Sequence, residues 1–175
     1  MKTLSQVVIT PEKVLKDGAN LGTYTLGSLY REKVGNYPKF FKMDGLCKLA
    51  FLGAELLLEG LTPEEKEHGA IVLFNRSGSL TTDRNYQKTL SDDNYFPSPA
   101  LFVYTLANIA TGEIAIRHKI YGETSFYIME SPEESEMDAI IESTLQTSSP
   151  KFILTGWIEY ENESDFIADM KLITE

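Results

Sequence analysis

Strand-like and helix-like runs alternate along this chain, and that alternation predicts an α/β protein: a mixed five-stranded sheet with helices on both faces. Three observations carry the prediction. Short apolar runs suited to buried strands, residues 70–74 above all, are separated by segments whose apolar residues recur at helical spacing. The last two segments, 151–160 and 165–174, both read as strands with no helix between them, so at least one pair runs antiparallel. A hydrophobic content of 42% over 175 residues suits one domain, 1–175, with a substantial core.

Val7, Val8, Ile9 and Thr10 make a short β run closed by Pro11. Residues 13–37 carry Gly18, Gly22, Gly27 and Gly35 and read as loop with one helical piece. From Met43 the residues Leu46, Cys47, Ala50, Ala54, Leu57 and Leu58 fall on one helical face, with Gly60 at the C-cap position. Cys47 on that face is a buried structural thiol. Residues 70–74 are a fully buried strand and 75–83 a polar loop whose single glycine lacks the spacing of a nucleotide cradle. Residues 83–94 read as a short helix and loop. Residues 100–118 are apolar nearly all round, which marks a buried helix. A strand at 125–129, a helix at 132–147 and a strand at 151–160 follow, and 165–174 alternates as an edge strand would.

The formal net charge of -10 disfavours nucleic acid and anionic membrane surfaces as partners, since both need clustered Lys and Arg. The chain can offer only local basic clusters, such as Lys39 with Lys42, or Arg117 with Lys119. One cysteine excludes an internal disulfide framework, and the absence of a membrane-spanning run or signal-peptide pattern makes the cytoplasm the expected location. No cofactor is implied. Asp83 with Asp92 and Asp93, or Glu64, Glu65, Glu67 and His68, are acidic clusters without metal-site spacing.

The tetrapeptide Ser131, Pro132, Glu133, Glu134 carries a helix-start signature: hydroxyl N-cap, proline at the first helical position and glutamate at the third, worth about 1 kcal/mol as a cap. A cysteine at such a place would gain a lowered pKa from the helix N-terminus. Serine gains too little, and Glu130, Glu133 and Glu134 oppose a developing alkoxide.

Several stretches resemble the β-ketoacyl synthases. Residues 99–116, with Pro99, Phe102, Asn108, Gly112 and Ile116, followed by Tyr121, Gly122 and Ser125, resemble the helix and turn that lead to that family's nucleophile. Residues 37–44 resemble its entry to the first long helix, and 152–159 with Gly156 its glycine-bearing strand. The likeness covers most of 37–160 and implies the N-terminal half of the thiolase-like fold. On it, Ser131 stands at the position of the nucleophilic cysteine and is expected to be inactive. The resemblance implies that catalysis also needs a second half, bearing two histidines or a histidine and an asparagine, whereas His68 and His118 read as structural. It implies too a homodimer through the strand Ser125, Phe126, Tyr127, Ile128, Met129, whose apolar edge is free of proline and charge.

A helix packed between two half-folds would be apolar on two faces, but Glu133, Glu134, Glu136, Asp138 and Glu142 flank a single stripe of Met137, Ile140, Ile141 and Leu145. The expected function is therefore a non-catalytic ketosynthase-like accessory protein in fatty acyl, polyene or polyketide-type biosynthesis, with a full-length ketosynthase subunit as the candidate partner. A thioester-handling acyltransferase using Ser131 is the second reading. An acidic interaction module that has left acyl metabolism is the third.

Overall fold

The computed structural model describes residues 1–93 and 96–175. Its strands are β1 (Lys2–Ile9), β2 (Val14–Lys16), β3 (Ala19–Gly22), β4 (Gly69–Asn75), β5 (Thr124–Ile128), β6 (Phe152–Asn162) and β7 (Asp165–Thr174). They form one mixed sheet in the order β3-β2-β1-β7-β6-β4-β5. The trio β4, β5 and β6 is parallel, and the rest pair antiparallel. The helices are α1 (Leu26–Lys33), α2 (Gly45–Leu58), α3 (Pro63–Glu67), α4 (Leu80–Gln87), α5 (Pro99–Val103), α6 (Ile109–His118) and α7 (Glu134–Ser148), with a 3₁₀ turn at Pro38–Lys42. None of the described helices is long and apolar enough to cross a membrane.

Residue alternation decides which side of the sheet each helix covers. Every residue of β4 is buried; Ile71 and Leu73 belong to the core under α2, whereas Ala70, Val72 and Phe74 pack with Ile141 and Leu145 of α7. A parallel strand covered on both faces has to be apolar along its length, as residues 70–74 are here. Helix α2 is buried almost all round because it lies on β1, β6 and β7 with α1 and α6 against it. Asp44 caps it, accepting from the Cys47 N–H at 2.9 Å and from the Thr82 hydroxyl at 2.5 Å. Gly53 permits the close seat on β7, since a Cβ there would come within 2.3 Å of the Met170 sulfur.

Four features depart from the sequence reading. The sheet has seven strands rather than five, because residues 13–37 hold a hairpin as well as α1. Asp17 and Gly18 both adopt left-handed backbone, φ 51° and 80°, and join Lys16 directly to its partner Ala19. This is the two-residue type I′ turn that Asp-Gly favours. Next, β7 lies inside the sheet, between β1 and β6. Its alternation reports one buried face, which an internal antiparallel strand shares with an edge strand. The stretch 100–118 is not one buried helix: it breaks between α5 and α6, and Phe102, Val103 and Leu106 are exposed. The Ser79 hydroxyl donates to the Thr105 carbonyl, the acceptor that Ile109 would use in a continuous helix, and Ile109 turns to Leu106 instead. Finally, Gly60 follows the C-cap Glu59 without left-handed backbone. The loop end at Asn94 lies outside the described residues.

Candidate functional site

In open sheets of this kind, ligands and chemistry gather beyond the carboxyl ends of the parallel strands. Here that end holds the loop after β4 and the segment after β5. Asn75 closes the first as a tight turn, donating to the Gly78 carbonyl at 2.8 Å and accepting from the Gly78 N–H at 2.9 Å. The carboxylate of Glu159 fills the loop's donor nest, accepting from the N–H groups of Arg76 and Ser77 and from the Ser77 hydroxyl at 2.6 Å. An anion site there is thus occupied by the protein's own side chain. The second segment is tied to the first where the Met129 N–H donates to the Asn75 carbonyl at 2.8 Å.

Ser131 stands two residues further on, exposed, and its hydroxyl makes no hydrogen bond among the described residues. It is not the N-cap that its tetrapeptide predicts. Helix α7 begins at Glu134 with Glu133 as N-cap and no side-chain capping bond; the Glu133 N–H closes on the Ser131 carbonyl at 2.8 Å. The near-identical tetrapeptide Thr62, Pro63, Glu64, Glu65 does form the capping box, with the Glu65 carboxylate accepting from the Thr62 N–H at 2.8 Å. Thr62 opens a short surface helix, whereas Pro132 borders a groove between α7 and the sheet.

Neither histidine accompanies Ser131. His68 immediately precedes β4, and its carbonyl accepts from the Lys151 N–H just before β6. The segment after His118 is pinned to the same end by the Tyr121 N–H donating to the Glu67 carbonyl. Both therefore lie at the amino ends of the parallel strands, one strand length, roughly 20 Å, from Ser131. His118 is buried, with Nε2 3.4 Å from the Glu55 carboxylate. Burial, aided by Lys66 and Arg117, pushes its pKa down to about 3, and the Arg117 guanidinium holds Glu55 at 2.7 Å. Cys47 lies on the opposite side of the sheet from α7, and burial with Asp44 beside it holds its thiol well above the ordinary range. Among the described residues no group of three His, Cys, Asp or Glu side chains is placed to hold a metal ion. Glu65 of the acidic cluster serves the capping box.

What the carboxyl end does expose is strand β5. Among the described residues it pairs only with β4, and it forms one edge of the sheet. Ile128 is 64% exposed and Tyr127 37%, and the apolar side chains of Phe102, Val103 and Leu106 are also exposed. A depression beside the strand is lined by Ser77, Ser79, Thr105, Leu106 and residues of β5.

No family model and no curated protein matches the chain. Solved structures do. One is described as the ketosynthase ApeO in complex with its chain length factor ApeC from Xenorhabdus doucetiae, with TM-score 0.69 and 16% identity over 99% of this chain and 79% of that one. The fold is the thiolase-like fold of the ketosynthases. A second, described as the ishigamide ketosynthase/chain length factor, gives TM-score 0.70 and 16% identity over 97% of this chain and 60% of that chain. At this identity the likeness establishes the fold alone.

Proposed function

We propose that this chain is a non-catalytic, ketosynthase-like subunit, one cytoplasmic domain spanning 1–175, that pairs with a full-length ketosynthase in polyene- or polyketide-type acyl biosynthesis. The observation that carries the reading is the outer edge of β5, which has no partner strand among the described residues: such an edge flanked by exposed apolar side chains invites one. Both ketosynthase-like structures described above are named as ketosynthase with chain length factor, which favours a ketosynthase over a second copy of this chain as the occupant. Both histidines lie a strand length from Ser131, and the three exposed glutamates around it oppose a developing alkoxide, which supports an accessory role over acyl transfer.

The test is co-expression with a full-length ketosynthase from the same host. Co-elution as a stoichiometric complex is expected, lost in Ile128→Glu, which places a charge on the pairing edge, and kept in Ser131→Ala. A chain that forms only homodimers returns the homodimer across β5 as the correct assembly. A stoichiometric acyl adduct by intact mass, absent from Ser131→Ala, overturns the non-catalytic reading in favour of an acyltransferase.

A further inference from the structure

On the α7 side of the sheet, beside the helix, lies a cavity of about 380 Å³. Its floor is built by β6 and β7. Thr155 pairs in register with Lys171, and Trp157 with Asp169, so these four side chains stand on one face in adjacent cross-strand pairs. Its wall is α7, which presents Glu134 and Asp138 one helical turn apart, with Met137 and Ile141 completing the lining.

Two features separate this cavity from an ordinary surface groove. Thr155 is only 3% exposed, yet its hydroxyl has no hydrogen-bond partner. A buried hydroxyl left unsatisfied is costly, and a bound group that accepts a hydrogen bond from it recovers that cost. Moreover Lys171, Glu134 and Asp138 all border the cavity without an ion-pair partner among the described residues. Asp169 differs, since it accepts from the Gln6 amide at 2.6 Å.

We propose that this cavity binds a small zwitterion of the amino-acid type, with its carboxylate on the Thr155 hydroxyl and Lys171 ammonium and its ammonium toward Glu134 and Asp138. An anion alone meets the carboxylates of Glu134, Asp138 and Asp169, and a cation alone leaves Thr155 and Lys171 without an acceptor; a molecule carrying both charges answers both sets of groups. Trp157 flanks the ammonium with its ring, and Met137 and Ile141 offer apolar contact to a side chain. The volume suits such a ligand and is too small for a docking helix, which is about 10 Å across and needs several turns of groove.

Trp157 is the single tryptophan of the chain, so its fluorescence reports the site directly. The protein is titrated with the common amino acids other than tryptophan and tyrosine, and the best binder is compared with its decarboxylated amine and its deaminated acid. A saturable response is expected, weakened about tenfold or more in either truncated analogue. Thr155→Val, which keeps shape and removes the hydroxyl, weakens the amino acid. Lys171→Met abolishes its advantage over the amine, and thermal melts verify that both variants fold. Absence of a saturable response, an amine that binds as well as its amino acid, or an affinity untouched by both substitutions overturns the proposal.

Discussion

His118 and Ser131 show how single residues respond to where the fold puts them. The imidazole of His118 is neutral in the folded protein, its pKa pushed from 6.5 to about 3 by burial and the neighbouring cations. The unfolded chain binds this proton first as pH falls, so stability is full above pH 6.5 and drains between 6.5 and 3, at a limiting slope of about 1.4 kcal/mol per pH unit. Denaturant unfolding at stepped pH should therefore show a steeper acid decline in wild type than in His118→Gln, with carboxylate titrations common to both cancelling in the difference. Equal slopes would mean that the Glu55 carboxylate, 3.4 Å away, lets the folded state take up the proton. Ser131 makes the opposite case. Without a capping bond, Ser131→Ala should change stability by less than about 0.5 kcal/mol, whereas Thr62→Ala, which dismantles a real capping box, should cost about 1 kcal/mol. Thermal melts of the two variants measured together decide it; a larger loss in Ser131→Ala would restore the cap.

At the scale of elements, the parts buried by strong periodicity were legible in the chain. The helical spacing of apolar residues in α2, the apolar run 70–74 of β4 and the stripe of α7 announce themselves because burial dictates residue pattern, although α2 is buried beyond the one face its spacing predicts. What escaped was set by turns and by distant groups. The Asp17-Gly18 dipeptide was the available signal for β2 and β3, overlooked among the other glycines of its segment. The break between α5 and α6 depends on Ser79, a residue 26 positions from its acceptor, and no local pattern contains it. The internal place of β7 was equally hidden, since register partners on both sides are invisible in one strand's alternation. The candidate site divides the same way: the exposed edge at 125–129 was legible as an apolar, uncharged strand, but the offset start of α7 was not. The hairpin turn yields a prediction. A Cβ at Gly18 meets nothing within 4 Å, so any cost there is conformational. Gly18→Ala should destabilise by about 1 kcal/mol while Gly18→Asn, which tolerates left-handed backbone, costs less. Gly60→Ala, at an equally open position with no left-handed backbone, should be neutral or slightly stabilising by chemical denaturation. Equal losses in all three variants would exclude a type I′ turn.

For the molecule as a whole, charge constrains partners, and the fold sharpens the constraint. In the basic clusters named from the sequence, Lys39 is bound to the buried Glu113 at 2.7 Å, and Arg117 is held between Glu55, Asn36 and the ring of Tyr37, 4.9 Å from its centroid. From those clusters Lys42 and Lys119 are left without an ion-pair partner among the described residues, on a chain of net charge -10. An acidic carrier protein would be repelled at long range, whereas a ketosynthase presenting a basic face would be drawn in. Steering of that kind acts on encounter more than on the docked state. Once β5 is paired and its apolar neighbours are covered, escape is governed by strand hydrogen bonds and buried surface, which salt barely screens. The expected outcome is therefore specific: between low and physiological ionic strength the association rate with the ketosynthase falls several-fold, the dissociation rate stays level, and free carrier protein shows no binding at either salt. Surface-immobilised binding kinetics at stepped salt read both rates. Salt-insensitive association, or carrier protein binding on its own, would show that the chain's acidity does not select its partner.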